Sequence, residues 1–448
     1  MTADTTSPEV QAALEHVRRA ERRAAELPGL PASEADWRPR RAAVIGAGTM
    51  GGGISTALAN AGIPVTLVDR SRAATERGLA SVAATYASSV RRGRLGQAEA
   101  DERLARIAPA DDLAAIADAD LVVEAVFEEL TVKQDVFRAV DRHARPGALL
   151  GTNTSALDID IIAAVTARPE DVIGAHFFSP AHVMRLLEVV PGRETSPRTL
   201  ARSMALGRHL GKVAVRAGNA YGFIGNAMLA DYLRQAHFLV EEGALPADVD
   251  RALRAWGFAM GPFAMTDMAG HDLGVESRRR AIAARPADRR YSDLDLFLAD
   301  LGRLGQKSGA GWYRYDDGDR TPRPDPDFDR RLVEYSARLG IERRRIDDRE
   351  ILDRCLYALV NRGAWLHGDA IAAKPGDIDV VYVTGYGFPA ARGGPLYWAD
   401  SVGLPTVLAG IEALHRTGDA WWEPAPLLRS LVADNSTFAE LDARGASA

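Results

Sequence analysis

One histidine and one glutamate in this chain are spaced for proton transfer. His176 lies in DVIGAHFF (171–178), and Glu188 lies in MRLLEVV (184–190). Both stretches read as strands, joined by SPAHV. A turn centred near His182 makes the two strands antiparallel and sets His176 opposite Glu188, about 5 Å apart at Cβ. An imidazole held by a carboxylate has a fixed tautomer and can take a proton from a hydroxyl near neutral pH. The pair therefore suits oxidation of an alcohol, given a hydride acceptor beside it. The same two residues also read as a satisfied strand histidine and an edge glutamate.

A place for such an acceptor follows the first apolar run. VIGAGTMGGGI puts Gly46, Gly48 and Gly51 directly after a strand and at the start of a helix, with Thr49 and Met50 between them. This is G-x-G-x-x-G in the context that gives it meaning. Gly46 permits the tight turn, Gly48 lets backbone approach a pyrophosphate, and Gly51 lets helix and strand pack closely. The helix N-terminus then offers free N–H groups and its positive dipole end to the phosphates. Asp69 ends the second strand, eighteen residues after Gly51, where a carboxylate accepts hydrogen bonds from the adenosine ribose. It repels a 2′-phosphate, so NAD is expected over NADP, although Arg70 beside it leaves NADP open. A flavin is the other dinucleotide for this fold.

Two further polar side chains fall near strand ends. Ser155, in TNTSAL, follows a strand, so its hydroxyl can reach the same crevice. A serine there is also an ordinary helix cap, in this case for DIDIIAAV. Asn226, in YGFIGNAML, opens a long helix, where its amide can face a carbonyl or tie two helices together. The single cysteine, Cys355, excludes an internal disulfide and a thiolate metal cluster, and no metal site is assigned.

The elements that must position these groups alternate. AAVIG (42–46), IPVTLVD (63–69), ADLVVEAV (119–126), ALLGTNT (148–154) and DVIGAHFF read as strands, with helices over 50–61, 70–92 and 130–144. Alternating strand and helix means βαβ units and a parallel sheet covered on both faces, and near-continuous Val, Ile and Leu fits that burial. Strand signals stop after about residue 215. Helical patterns then run over 222–242, 246–257, 262–284, 349–368 and 396–414, and DRTPRPDPDFD reads as a linker. PADVDRALRAWGFAMGPFAMTDMAG (246–270) parallels PGDIDVVYVTGYGFPAARGGPLYWADSVG (375–403), so this half is expected to hold two copies of one helical unit.

The fold class expected is an α/β Rossmann-type nucleotide-binding domain followed by an all-α domain made of two related helical units. Residues 1–40 form a helix (Val10 to Leu27) and linker, 41–217 the nucleotide domain, 218–318 the first helical unit, 319–348 a linker and 349–448 the second unit. At 448 residues, two or three domains are expected. A net charge of −6 gives no reason to expect nucleic acid or an anionic membrane as partner. MTADTTSPEV lacks the layout of a signal or transit peptide, and no run of about 18 apolar residues exists. The cytoplasm is the default location.

VIGAGTMGGGI, DLVVEAVFEELTVK, TNTSAL, GAHFFSPAHVMRLLEVV, GFIGN, MGPFAMTDMAG, LGQKSGAGWYRYD and DIDVVYVTGYGFPAARGGP stand in order between about Arg41 and Leu404. Together they resemble the L-3-hydroxyacyl-CoA dehydrogenase family, including the dehydrogenase portion of the fused β-oxidation enzymes. ERRAAELPGLP resembles the linker after the enoyl-CoA hydratase part of fused relatives, and no hydratase part is present. The resemblance implies NAD-dependent oxidation of the 3-hydroxyl of a fatty-acyl thioester. It makes His176 the general base, Glu188 its partner, Ser155 and Asn226 substrate-side groups, and Glu128, Lys133, Ser155 and Lys307 nicotinamide-side contacts. Ser179 stands where the family often has asparagine, which rearranges one cofactor contact. Ala227 replaces a usual arginine. Val82 and Ser89 replace a serine and a lysine used for CoA, with Arg91 and Arg92 as substitute charges, and Asp369 stands in a stretch that is usually more acidic.

The implied partners are an acyl-CoA substrate and a separate enoyl-CoA hydratase or thiolase, with neither nucleic acid nor membrane. The second helical copy can replace a dimer partner's, so monomer and homodimer are both open. A related dehydrogenase of a sugar acid or of a carrier-bound hydroxyacyl group is a second reading, and a non-catalytic NAD-binding scaffold subunit a third.

Overall fold

A computed structural model describes residues 7–272 and 274–444. The chain divides into two compact units. A sheet unit holds residues 18–226 and 369–386, and a helical unit holds the remaining described residues.

The sheet unit is built on eight strands: β1 (Ala42–Ile45), β2 (Val65–Val68), β3 (Ile107–Ala110), β4 (Leu121–Glu124), β5 (Leu149–Thr152), β6 (Val172–Phe177), β7 (Leu186–Pro191) and β8 (Val213–Arg216), in the spatial order β3-β2-β1-β4-β5-β6-β7-β8. Only the β6–β7 pair is antiparallel. The expected doubly wound sheet is therefore present, with one hairpin. Val44, Leu67, Leu121, Val123, Leu149 and Ile173 form its core, all nearly inaccessible. Strand order reverses between β1 and β4, which puts a crevice at their carboxyl ends. β3 has no counterpart among the expected strands. It is four residues of which only Ile107 is buried, and it contains Pro109. A proline cannot donate to a ladder, which is tolerated because β3 lies at the sheet edge.

Nineteen α-helices complete the described residues. In the sheet unit they include α2 (Thr49–Asn60), α3 (Arg72–Arg91), α5 (Leu130–His143) and α6 (Ile159–Ala163). The short α15 (Pro375–Gly385) also belongs to this unit. It packs on β7 and β8, Gly218 N–H donates to Ile371 O at 2.7 Å, and Lys374 Nζ donates to Glu26 O at 2.9 Å.

The helical unit is organised around α14 (Asp348–Gly368), which packs on α9 (Pro246–Trp256), α16 (Pro395–Val402), α17 (Leu404–His415) and α18 (Pro426–Ala433). Cys355 is buried within it, and burial pushes the thiol up to about 12. The pattern read as one helix over 262–284 is instead α10 (Pro262–Ala269) and α11 (Val275–Ala281), separated at Gly270, whose φ of 100° ends α10. The stretch read as a linker contains α13 (Pro326–Arg338), because the Asp325 carboxylate caps the N–H groups of Asp327 and Phe328.

The two copies of the repeated motif use the same devices. α9 and α15 each begin with proline and carry an aspartate at the third position, Asp248 and Asp377, that accepts the N–H before the helix, from Leu245 and Lys374. The later aspartates also correspond. Asp400 accepts from Phe438 N (3.0 Å) and Ala439 N (2.9 Å). Asp267 accepts from Trp312 N (2.8 Å), Tyr313 N (3.0 Å), Tyr315 Oη (2.9 Å) and His271 Nε2 (2.7 Å), so it fastens the KSGAGWY loop to α10. Among the described residues, no helix is long and apolar enough to cross a membrane.

Losing Asp267 strands four buried donors, so Asp267→Ala is expected to destabilise the helical unit by about 3 kcal/mol, read as a lower midpoint in urea. Burial lowers the pKa of His271, but hydrogen bonds to Asp267 and Asp295 and the charges of both outweigh it, and the net shift is upward. A folded pKa above the unfolded one gives stability that is complete below about 6.5 and is lost as pH rises through the folded value. Melting temperature is therefore expected to fall as pH rises from 6.5, with a slope that His271→Gln flattens.

Candidate active site

The antiparallel register pairs His176 with Glu188, as their spacing implied. His176 Nδ1 lies 2.8 Å from Glu188 Oε2, and both side chains are buried. The second carboxylate oxygen accepts from Ile224 N (3.1 Å) and Gly225 N (2.9 Å). Those two N–H groups are aimed by a tight turn after β8, in which Gly222 and Phe223 both have positive φ (75° and 50°). The bond to Glu188 assigns the ring proton to Nδ1 and leaves Nε2 as the accepting nitrogen. The rings of Phe178 (4.3 Å) and Phe223 (5.7 Å) pack against the imidazole.

A second cluster forms at the ends of β4 and β5. Lys133 Nζ is completely buried between Glu124 Oε1 (2.8 Å) and Glu128 Oε2 (3.2 Å). Glu124 also accepts from Thr152 Oγ1 (2.6 Å) and Val126 N (2.7 Å). Glu128 Oε1 accepts from Thr154 Oγ1 (2.6 Å), Ser155 N (2.8 Å) and Ser155 Oγ (3.2 Å). Burial raises the Glu128 pKa, but the Lys133 charge and these donors outweigh it and hold the carboxyl below its usual range. Ser155 does not cap the helix after it; the Asp158 side chain does that for α6. Asn226 stands beside Ser155. Its Nδ2 donates to Ser155 O at 3.3 Å, and its Oδ1 accepts from Tyr386 Oη at 2.8 Å.

The glycine loop is tight at Gly46 and Gly51 and open at Gly48. Gly46 has φ 102°, and a Cβ there would lie 2.5 Å from Ala125 O in the turn after β4. A Cβ on Gly51 would lie 1.7 Å from Gly46 O, whereas one on Gly48 would meet nothing within 4 Å. Gly48 is also the residue before α2, whose first N–H groups have no side-chain cap. Asp69 Oδ2 accepts Ala47 N at 2.8 Å, so the acid braces the loop and keeps lone pairs for a ribose. Open space at Gly48, an uncapped helix start and Asp69 beside them fit a dinucleotide.

These groups form one continuous path. Glu188 holds Gly225, Asn226 follows and reaches Ser155, Ser155 meets Glu128, Lys133 joins Glu128 to Glu124, and the turn after β4 lies against Gly46. Thr49 and Met50 open α2, and Ser179 lies on the exposed connection after β6. Lys307 belongs to the helical unit, where its ammonium pairs with Asp272. Of the departures, Val82 is buried against α2, Ser89 bonds within its own helix, and Arg91 and Arg92 are exposed.

Four contributors escaped the sequence reading. Glu124 reads as one more strand residue. Gly78 lets α3 approach Ala47, since a Cβ there would lie 2.6 Å from Ala47 O. Lys212 donates from a buried position to Ala181 O and Met184 O, both at 2.6 Å, fixing the connection after β6, and burial pulls its pKa down to about 8. Tyr386 stands 160 positions from Asn226 in sequence. A charged residue inside an apolar run is a signal for Glu124; the others carry none.

Residues 41–220 match the model of the 3-hydroxyacyl-CoA dehydrogenase NAD-binding domain, and residues 222–315 and 351–440 match the model of that enzyme's C-terminal domain. The chain is 45% identical over 441 residues to the peroxisomal bifunctional enzyme of Danio rerio, covering 92% of this chain and 60% of that one. It therefore spans about 60% of the length of this curated relative. Among solved structures, 3-hydroxybutyryl-CoA dehydrogenase from Escherichia coli K12 superposes with a TM-score of 0.74 at 29% identity, covering 91% of this chain and 99% of that one. The dehydrogenase part of multifunctional enzyme 1 from C. elegans gives 0.67 at 27% identity, covering 93% and 96%. With both domain models matched in order along its length, the chain belongs to the 3-hydroxyacyl-CoA dehydrogenase family and carries that family's NAD-binding domain.

Proposed function

We propose that this protein oxidises (S)-3-hydroxyacyl-CoA to 3-ketoacyl-CoA with NAD, as a step of fatty-acid β-oxidation or short-chain acyl-CoA metabolism. The observation that carries the reading is the buried His176–Glu188 pair at the carboxyl end of the sheet, joined to the glycine loop by a continuous set of contacts. His176 takes the 3-hydroxyl proton at Nε2. Glu188 fixes the tautomer and balances the imidazolium that forms. Ser155 and Asn226 hold substrate oxygens, and their fixed positions supply the orientation on which rate depends. Gly46, Gly48, Thr49, Met50, Gly51 and Asp69 hold the dinucleotide's adenosine and pyrophosphate, and Glu128, Ser155 and Ser179 its nicotinamide side, with Lys133 buried behind Glu128. NAD, when bound, supplies the hydride acceptor.

Arg91 and Arg92, exposed on and after α3, take the part of the missing CoA lysine. We assign the nucleotide domain to 41–217 and the two repeated units to 218–318 and 349–448, although 218–226 and 369–386 pack with the sheet unit. An enoyl-CoA hydratase activity supplies the 3-hydroxyacyl-CoA, and a thiolase consumes the 3-ketoacyl-CoA. The Danio rerio relative is named a peroxisomal enzyme, so a peroxisomal setting stands beside the cytoplasmic one.

His176→Ala is expected to lower kcat for acetoacetyl-CoA reduction by NADH about 10³-fold while leaving NADH affinity, read by fluorescence titration, near the parent value. Unchanged turnover would remove His176 as the base. Gly51→Ala forces the loop apart at Gly46 O and is expected to weaken NADH binding at least about tenfold. Undiminished affinity would show that this loop does not hold the dinucleotide.

A further inference from the structure

The second helical copy contributes one side chain to the site. α15 is anchored on β7 and β8, and Tyr386 follows its last residue, Gly385, at whose Cα the Leu186 side chain lies close enough to exclude a Cβ. The Tyr386 hydroxyl is 2.8 Å from Asn226 Oδ1. Its ring lies against Gly225, where a Cβ would come within 2.4 Å of Tyr386 Cε2. The Phe178 ring, which packs on His176, meets it edge-on at 5.5 Å. The tyrosine thus touches the peptide that holds Glu188, the aromatic wall of the histidine and the amide that faces Ser155.

We propose that Tyr386 is a positioning residue, and that its hydroxyl sets which way the Asn226 amide faces. The proposal rests on Asn226 being a substrate-side group. A phenol at this site donates, and burial with the nearby Glu188 charge keeps it protonated. The donation fixes Oδ1 toward Tyr386, and Nδ2 then faces Ser155 O. One amide N–H is spent on that carbonyl. The other remains for a substrate oxygen. Turned over, the amide would set its oxygen against the Ser155 carbonyl, and the phenol, able then only to accept from the amide, would lose the acceptor its own proton now uses. With phenylalanine in place of Tyr386, only the 3.3 Å contact to Ser155 O opposes the flipped state. The amide would then be held loosely: part of the enzyme would present an acceptor where the substrate needs a donor, and the rest would present the donor out of place.

The test compares Tyr386→Phe, Asn226→Ala and the double variant in the full chain, with acetoacetyl-CoA and NADH. Tyr386→Phe is expected to lower kcat on the order of tenfold, with NADH affinity and melting temperature unchanged. In the Asn226→Ala background the same change is expected to cost nothing further, since its target is gone. Full activity of Tyr386→Phe, an equal loss in both backgrounds, a loss that follows a fall in melting temperature, or full activity of Asn226→Ala would each overturn the proposal. His176→Ala run alongside separates the two levels. If it is inactive while Tyr386→Phe is unimpaired, this inference alone fails; if it turns over normally, the site reading fails with it.

Discussion

The sheet unit is arranged around one buried ion-pair-capable contact, His176 Nδ1 to Glu188 Oε2. A carboxylate taken out of water without partners is costly, and a single histidine does not offset that cost. The remedy is structural. The turn after β8 adopts positive φ at two successive residues to aim two backbone N–H groups at the second carboxylate oxygen. The hairpin, the β8 crossover and the start of α8 (Gly225–Glu242) are thereby tied to one acid. β7 runs against the otherwise parallel sheet because its connection to β6 is too short for a crossover, and in the resulting register two adjacent strands present the pair across one rung.

The other charged cluster is of a different kind. Glu124, Lys133 and Glu128 hold one lysine between two acids, with hydroxyls and N–H groups filling the remaining lone pairs. A buried ammonium held by two acids in this way specifies geometry more than it adds stability. Here the geometry fixed is that of the turn after β4, which lies against Gly46, and of Ser155. Loop shape and serine position are set together by one ammonium group.

The duplicated helical motif shows how a repeated sequence can be put to different uses. Both copies keep proline and aspartate at the helix start and an aspartate that caps a later segment. In the first copy that later aspartate holds the loop of Lys307. In the second, the first helix belongs to the sheet unit and brings Tyr386 to Asn226. The local chemistry of the motif was kept while its neighbours changed.

Much of this was legible in the chain itself, because the signals are local. Glycine spacing after an apolar run gives the nucleotide loop, since each glycine answers a steric demand within a few residues. Strand register across a short hairpin gives the His176–Glu188 pairing, since the connection is too short to allow many alternatives. Periodicity gives the order of strands and helices, and ordered motifs give the family. What escaped was decided by neighbours far apart in sequence. β3 carries a proline and little hydrophobicity, and it exists because an edge offers β2 as its single partner. Asp158, not Ser155, caps α6, because the helix begins only at Ile159, and the serine hydroxyl goes instead to Glu128 across 27 positions. Tyr386 reaches Asn226 across 160, and no local pattern records that approach. Short-range sterics are written residue by residue; the pairing of buried polar groups is settled only when packing removes water and leaves each donor the acceptors that the fold has brought near.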